Sequence, residues 1–427
     1  MRNAEVWMWK TRIGFLEIDD NGIVRFEYDD DFTRSGIQIS PIMMPLSRVI
    51  YSFPELPYNS FKGLPGLISD SLPDRFGNAV IDDWLARQGR SMDSFNVIDR
   101  LCYIGIRGMG ALEYRPQTSE DYSKQVDIDL LVDLANEVLK DRQNLSVDSN
   151  RNEAMNQLFN VGSSAGGARA KAIIAWNKKT GEIRSGQIDA GEGFEYYIIK
   201  FDGVDGNGDH GLSDSKGYTN IEYAYYLMAT AAGIDMMTCE LYKENGRNHF
   251  LTKRFDRTHE GKIHSQTFGA LCHLDYNTPR VTGYEYLAEI CRKINIKHDQ
   301  IEQLYRRMIF NVFAVNNDDH VKNFSFLMNR NGEWILSPAY DMTFAYKEDN
   351  IWLREHQMLV NGKSRNISKE DLLVSGKNMG ISRKKCDLII EEVSYAIDKW
   401  EDFAKEAEVK EDNIGYIKEA IKKAKMN

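Results

Sequence analysis

In the second half of the chain, an amphipathic helical pattern changes abruptly to a strand, turn and strand pattern. The apolar residues of the first part recur at helical spacing: Ile301, Leu304, Tyr305, Met308, Ile309, Val312 and Phe313. They predict a buried helix that ends near Val315. The next segments, FSFLM and EWILS, alternate like strands and are joined by a turn at 329–332. This hairpin would return Asp341 to the acidic turn at 316–323.

Three polar residues of this region have the spacing of a phosphoryl-transfer site. Asp318 and Asn323 are five positions apart, as are the base and the metal-binding asparagine of the protein-kinase catalytic loop. Asp341 would supply a second metal-binding carboxylate. One amide and one carboxylate oxygen suit Mg²⁺, and the other carboxylate can accept a hydroxyl proton. The alternative, an Asn/Asp-rich loop that caps the helix and opens the hairpin, does not explain all three residues with Lys322 between them.

Composition bounds the class of protein. A chain of 427 residues can form two or three domains with sizeable cores. A formal charge of -10 argues against a general nucleic-acid-binding surface. The five cysteines are scattered and lack C-x-x-C spacing, which is typical of reduced thiols. We find no signal-peptide core and no apolar run long enough for a membrane span. The expected location is therefore the cytoplasm, with no membrane partner.

The first half of the chain is predicted to begin with a β-rich unit. Alternating segments flank Asn21-Gly22, a strong hairpin signal. The Pro- and Gly-rich segment 61–77 is interpreted as a structural or partner-facing loop, with Asp74 capping the helix that contains Trp84. A polar linker at 114–127 precedes the helix LLVDLANEVL.

A loop of small residues at 162–168 precedes the strand AIIAW. Its backbone N–H groups could bind phosphate, although the loop taken alone fits a flexible hairpin entrance better. Lys200 ends the strand EYYIIKF, as either a snorkelling edge residue or a charge aimed at a ligand. Glu222, near the start of the next helix, is its predicted ion-pair partner. A hairpin then leads to a hinge around Arg254 and Phe255.

These parts together resemble the HipA family of serine/threonine kinases, the toxins of bacterial type II toxin–antitoxin pairs. The resemblance is carried by GLPGLISDSLPD (63–74), SSAGGARAKA (163–172), YIIK (197–200), RFDR (254–257), NNDDHVKNFSFL (316–327), LSPAYDM (336–342) and HQMLVNGKSR (356–365). It implies an α+β, two-lobed protein-kinase-like fold with an additional β-rich N-terminal subdomain (1–115), a nucleotide lobe (116–255) and a mostly helical C-lobe (256–427).

The resemblance also implies roles for individual residues. Asp318 falls on the catalytic base, Asn323 and Asp341 fall on the Mg²⁺ ligands, and Glu222 supports the phosphate-binding lysine. The ATP-binding positions it implies are Lys200, Ser164, Ala165, Gly166, Gly167, Ala168, Arg169, Lys171, Arg254, Phe255, His320 and Lys322.

Two features of the matched motifs leave questions open. The family autophosphorylates a serine in its phosphate-binding loop, which falls on Ser164, with Ser163 as the alternative. Asp319 stands where the family often has glycine, so a second carboxylate is expected beside the base, with an effect on metal binding.

The family further implies ATP and Mg²⁺ as cofactors and an aminoacyl-tRNA synthetase of the glutamyl type as substrate. It implies a small helix-turn-helix, HipB-like antitoxin that carries the toxin to operator DNA, an indirect route that the negative net charge fits. One alternative is a catalytically silent corepressor with the kinase fold. Another is metal-dependent hydrolysis at Asp318, Asp319 and His320, which would have no use for Lys200.

Overall fold

A computed structural model describes residues 1–73, 75–87, 89–91, 94–118, 126–140, 158, 162, 169–204 and 216–426. The predictions for the loop at 163–168, including Ser163 and Ser164, and for the Asp74 cap lie outside these residues. Elements below are numbered within the described ranges.

The N-terminal region contains an antiparallel sheet with the strand order β4-β3-β2-β1-β5. Its strands are β1 (Asn3–Met8), β2 (Thr11–Ile18), β3 (Val24–Tyr28), β4 (Ile50–Tyr51) and β5 (Leu112–Arg115). The predicted hairpin joins β2 to β3, where the Asp19 carboxylate accepts from the Asn21 N–H and Gly22 has a φ of +79° that suits glycine. The β-rich start of the chain is thereby confirmed.

The helices between β3 and β5 are α1 (Asp30–Thr33), α2 (Tyr58–Phe61), α3 (Gly66–Ser69), α4 (Arg75–Arg87) and α5 (Val97–Ile104). The segment predicted as a structural loop contains α3 and packs on a C-lobe helix. The Gly66 N–H donates to His273 Nε2 over 3.0 Å, and the Thr267 N–H donates to the Asp70 carboxylate over 2.7 Å. A Cβ at Gly66 would lie 2.1 Å from the Ala270 carbonyl oxygen, so only glycine fits this close approach.

A second antiparallel sheet has the order β7-β6-β8-β10-β9. Its strands are β6 (Lys171–Trp176), β7 (Ile183–Ser185), β8 (Glu195–Lys200), β9 (Cys239–Glu244) and β10 (Arg247–Lys253). Helices α6 (Ile128–Lys140) and α7 (Tyr218–Ala231) form at segments that the sequence predicts to be helical. The β6 to β8 register places Lys171 opposite Lys200, so both side chains leave the same face of the sheet.

The rest of the chain is mostly helical. It contains a small ribbon of β11 (Arg257–Thr258) and β12 (Gly261–Lys262) and a sheet of β13 (His264–Thr267), β14 (Ser325–Met328) and β15 (Trp334–Leu336). Its helices are α8 (Phe268–Cys272), α9 (Tyr284–Lys293), α10 (His298–Phe313), α11 (Lys369–Asn378), α12 (Arg383–Ile397), α13 (Trp400–Glu406) and α14 (Glu411–Lys425). The predicted helix and hairpin around the acidic turn are confirmed as α10, β14 and β15. Across the described ranges, we find no helix with the length and apolar character to cross a membrane.

The hydrophobic side chains form two cores. One contains the N-terminal sheet together with the helices of the C-terminal half, through residues such as Phe26, Leu101 and Phe310. The other joins α4 and α6 to the second sheet, through residues such as Val80, Leu131 and Tyr197. The predicted α+β fold with two lobes and a β-rich N-terminal addition is confirmed, and the exact domain boundaries at 115 and 255 stay predictions.

His249, in β10, gives the fold a testable pH dependence. The ring is buried, Nδ1 accepts from the Asp202 N–H over 3.0 Å, and burial lowers its pKa to about 4 although Asp202 opposes the shift. In the unfolded chain, the His249 ring binds a proton below about pH 6.5. The free energy of unfolding should therefore fall as pH drops from about 6.5 towards 4, by about 1 kcal/mol per pH unit at most from this ring. His249→Asn keeps an acceptor for the Asp202 N–H but does not titrate, so urea unfolding of this variant should show a shallower pH slope. Equal slopes would contradict the prediction.

Candidate active site

A cleft of about 1290 Å³ is lined by the second sheet, α7, the turn after α10 and residues of the N-terminal region between positions 18 and 112. Its walls include all the sequence-predicted site residues within the described ranges: Arg169, Lys171, Lys200, Glu222, Arg254, Phe255, Asp318, His320, Lys322, Asn323 and Asp341. Residues more than 170 positions apart in the sequence thus face one cavity. The fold brings together the predicted base, metal ligands and phosphate-binding lysine.

The acidic turn is set in place by the end of α10. Val315 adopts a φ of +57°, which is strained for a β-branched residue and redirects the chain out of the helix. Asn317 donates its side-chain amide to the Leu353 carbonyl over 2.8 Å. Asn323 Nδ2 donates to the main-chain carbonyl of Asp318 over 2.7 Å, which closes the turn between the predicted base and the predicted metal ligand.

Asp319 does not face the cleft. It is 1% exposed, and its carboxylate accepts from the Tyr284 hydroxyl at 2.7 Å and from the Gln357 N–H at 2.8 Å. The Met358 N–H lies 3.4 Å from the same carboxylate and His356 Nδ1 lies 3.2 Å from it. A carboxylate with this many donors is fully used in holding the turn to the segment at 356–358.

Asp319 adjoins the predicted base in the sequence, but its carboxylate is occupied by these hydrogen bonds, and its effect on metal binding stays a prediction. Asp318 lines the cleft, whereas the Asp319 carboxylate is buried in the hydrogen bonds just described. Within the described ranges, we find no group of three His, Cys, Asp or Glu side chains arranged to hold a metal ion.

Tyr340 couples the hairpin to the acidic turn. Its hydroxyl donates to the Lys322 carbonyl at 2.7 Å and lies 2.5 Å from Ser325 Oγ. The next residue, Asp341, has a φ of +55°, which aspartate tolerates better than most residues. Tyr340 thereby fixes the position from which Asp341 enters the cleft.

Lys200 lies between two carboxylates. Its Nζ contacts Glu222 Oε1 and Asp341 Oδ1. Burial alone would lower the pKa of the Lys200 ammonium, but the charges of Asp341 and Glu222 raise it above the ordinary value. Desolvation would raise the pKa of Asp341, but Lys200 and Lys171 hold it well below its usual range. Both groups are therefore charged at neutral pH.

Arg169 adds a third cation to this part of the cleft. Its guanidinium lies 3.7 Å from Glu222 Oε2 and 3.7 Å from the centre of the Tyr218 ring. Arg169, Lys171 and Lys200 thus surround two carboxylates, Glu222 and Asp341. The local excess of positive charge contrasts with the net charge of -10 and suits a polyanionic ligand.

The other side chains predicted to bind ATP differ in the contacts that they make within the protein. Lys322 Nζ lies 4.4 Å from the centre of the Tyr276 ring, and His320 Nδ1 accepts from the Lys322 N–H at 3.2 Å. The Arg254 guanidinium is buried and makes two hydrogen bonds to Asp256, at 2.9 and 2.8 Å. Its predicted contact with a nucleotide is therefore limited to backbone atoms, because the side chain is used within the protein.

The donor set fits Mg²⁺. Asn323 and Asp341 offer an amide and a carboxylate oxygen at the same cleft, and the low pKa of Asp341 keeps that carboxylate ionised. Hard oxygen ligands of this kind, few in number and completed by phosphate oxygens, are what Mg²⁺ takes in phosphoryl-transfer enzymes.

Sequence reasoning missed several residues that build the site. Tyr284, Tyr340, His356 and Gln357 hold the turn and the hairpin through hydrogen bonds that link distant parts of the chain. The segment at 356–365 carries part of the family resemblance, but nothing in its spacing indicates that it would contact Asp318 and Asp319.

Comparisons with known proteins give the family and the fold of the chain. Residues 163–400 match the family model described as HipA-like C-terminal domain, and residues 4–115 match the HipA N-terminal domain. Two curated proteins of Sinorhizobium fredii (strain NBRC 101917 / NGR234) are similar to parts of the chain. "Putative kinase Y4dM" is 32% identical over 94 residues, 21% of this chain and 22% of that protein. "Putative kinase Y4mE" is 28% identical over 144 residues, 31% of this chain and 34% of that protein.

The chain thus spans only about a fifth to a third of these relatives. Among solved structures, HipA of Shewanella oneidensis MR-1, in complex with HipB and operator DNA, has a similar fold. Its TM-score is 0.68 at 16% identity, with 99% of this chain and 95% of that chain covered. Because the family models together match well over half of the sequence, the chain belongs to the HipA family, with an N-terminal HipA domain followed by the kinase-like C-terminal domain.

Proposed function

We propose that the protein is an ATP- and Mg²⁺-dependent serine/threonine protein kinase that acts as the toxin of a toxin–antitoxin pair. The observation that carries this proposal is Lys200 held between Glu222 and Asp341, at the same cleft as Asp318 and Asn323. A lysine paired with a helix glutamate and directed at a metal-binding aspartate is the arrangement that kinases use to hold ATP phosphates.

In this proposal, the ATP phosphates lie against Arg169, Lys171 and Lys200, where the described part of the cleft has its excess of positive charge. The loop at 163–168 would supply backbone N–H groups. Asn323 and Asp341 would hold Mg²⁺, which when bound would neutralise phosphate charge. The adenine would lie near the backbone of Arg254 and Phe255.

Asp318 would accept the proton of a serine or threonine hydroxyl. The hydroxyl oxygen bonds to the γ-phosphorus as the bond from that phosphorus to the bridging oxygen breaks, and ADP leaves. Lys200 and Lys322 would stabilise the charge on the transferred group. Catalysis of this kind depends mainly on positioning and on charges fixed in advance, and the hydrogen bonds within the turn provide the positioning.

The finer parts of the proposal extend this reaction to the cell. The substrate would be an aminoacyl-tRNA synthetase of the glutamyl type, so that phosphorylation halts translation. A small helix-turn-helix, HipB-like antitoxin would bind the toxin and carry it to operator DNA, by analogy with the Shewanella oneidensis complex of HipA, HipB and operator DNA. The five cysteines are all buried free thiols, which suits a reducing compartment such as the cytoplasm.

The test of this proposal is site mapping of autophosphorylation. After phosphatase treatment and incubation with Mg²⁺-ATP, the intact mass of the wild type should rise by one phosphate, located by peptide mapping at Ser164. Ser164→Ala should abolish that signal and Ser163→Ala should retain it. The reverse result would assign Ser163. No phosphate on the dephosphorylated wild type would remove the autoregulation and favour a silent kinase-fold corepressor.

A further inference from the structure

The side chain of Gln357 contacts the carboxylate of Asp318, although 39 positions separate the two residues in the sequence. Its Nε2 lies 3.2 Å from Asp318 Oδ1, and the residue is 3% exposed. Asn323 holds the main-chain carbonyl of Asp318, but that bond does not set the side-chain rotamer. The Gln357 amide therefore contacts the part of Asp318 that would receive the proton.

The backbone of Gln357 is fixed on both sides. Its N–H donates to Asp319 Oδ1 at 2.8 Å, and its carbonyl accepts from the Arg280 N–H at 2.7 Å. Asp319 is held in turn by Tyr284 at 2.7 Å. The Gln357 amide thus projects from a rigid base, which is what a side chain needs in order to orient another one.

The orientation of the amide leaves one polar atom unsatisfied. Gln357 Oε1 is buried and has no hydrogen-bond partner among the described residues. Exchanging the amide nitrogen and oxygen would place that carbonyl oxygen against the Asp318 carboxylate, with two acceptors facing each other. The observed orientation therefore keeps a donor on Asp318 despite the unfavourable burial of Oε1, and such exceptions are often found at functional sites.

We propose that Gln357 is a positioning residue for the catalytic base. Its amide fixes the rotamer of the Asp318 carboxylate, and Asp319 fixes Gln357, so the two adjacent aspartates have separate tasks. This inference rests on the proposed kinase function. A misoriented base slows the chemical step without weakening nucleotide binding, so the loss should appear in kcat and not in the KM for ATP.

The variants that test this are Gln357→Met, which removes the donor at similar volume, and Gln357→Glu, which replaces the donor with a carboxylate. Gln266 offers a matched control. It is 1% exposed, its Nε2 donates to Ser40 Oγ at 3.2 Å, and its Oε1 also has no partner within the described ranges. Gln266→Met makes the same chemical change at a similarly buried position on β13, where the amide contacts Ser40.

We expect Gln357→Met to lower the rate constant of autophosphorylation at saturating Mg²⁺-ATP by about 10- to 100-fold, with half-saturating ATP changed by less than about threefold. Gln357→Glu should be slower still. Gln266→Met should keep a rate within about twofold of wild type even if its melting temperature falls as much as that of Gln357→Met or more. Hydrogen exchange of the peptide covering 316–323 should be faster in Gln357→Met than in wild type or Gln266→Met.

The proposal is overturned if Gln357→Met keeps both the wild-type rate and the wild-type exchange. It is also overturned if Gln357→Met and Gln266→Met lose activity equally and in step with their melting temperatures. If the wild type transfers no phosphate, the kinase proposal fails by itself, and the exchange of 316–323 still decides whether Gln357 orders the turn around Asp318.

Discussion

Replacing Asp318 with asparagine is expected to lower phosphoryl transfer by about 10³-fold while leaving ATP binding intact. Asparagine keeps the shape of the side chain and can still contact the Gln357 amide, but it has no basic oxygen to accept the hydroxyl proton. The nucleotide would be held by Lys171, Lys200 and the metal ligands, none of which changes. The measurement is the initial rate of autophosphorylation in Mg²⁺-ATP, beside the rise in melting temperature that Mg²⁺-ATP produces.

Asp349 provides the matched control for this change, because it is an exposed aspartate in the loop after Asp341. Asp349→Asn removes the same charge from the chain and should phosphorylate itself at the wild-type rate. Activity of Asp318→Asn within about tenfold of wild type would mean that Asp318 is not the proton acceptor. Loss of the Mg²⁺-ATP stabilisation in that variant would mean instead that Asp318 contributes to nucleotide or metal binding.

Local patterns predicted the central part of the fold well. The helical spacing before Val315 and the strand alternation after Phe324 depend on residues that are close in sequence. The structure has α10 at the first of these segments and the β14–β15 hairpin at the second. The meeting of Asp318, Asn323 and Asp341 at one cleft follows from that hairpin. Where local periodicity and turn chemistry determine the geometry, the sequence was sufficient.

Adjacent residues of the same type were harder to separate. The spacing to Asn323 assigned the base to Asp318, but no local pattern predicted that Asp319 would be buried among Tyr284, His356 and the segment at 356–358. The groups that hold Asp319 come from residues 35 to 38 positions away in the sequence, so periodicity could not reveal them.

The packing of the N-terminal sheet was also beyond sequence reasoning. Its β-rich character could be predicted from alternation, but its core is continuous with the helical C-terminal half, whereas α4 and α6 pack with the second sheet. The choice depends on which apolar faces are complementary in shape. A single sequence shows which faces of the helices and strands are apolar, but not which of these faces pack together.

Asp256 has a central place in this packing. It is fully buried between Arg254 and Arg257, with Arg257 Nη1 2.8 Å from its Oδ2. The Gly110 N–H also donates to it over 2.7 Å, and Arg257 donates to the Gly108 carbonyl over 2.8 Å. Burial alone would raise the pKa of Asp256, but Arg254 and Arg257 hold it well below its usual range. The ionised carboxylate of Asp256 and its arginine partners therefore join residues 108–110 of the N-terminal region to residues 254–257.

Asp256→Ala should lower the free energy of unfolding by about 3–5 kcal/mol, because it leaves two buried guanidinium groups without their shared carboxylate. The loss should be measured by urea unfolding near neutral pH. It should shrink in acid, because the stabilisation from a carboxylate with a depressed pKa is present above the unfolded value and is lost as pH falls through the folded value. Glu401→Gln, which breaks an exposed ion pair with Lys418, is the control and should leave the midpoint unchanged. If Asp256→Ala changed the urea midpoint as little as this control, the two arginines would have found other partners. The cluster would then not hold the N-terminal region in place.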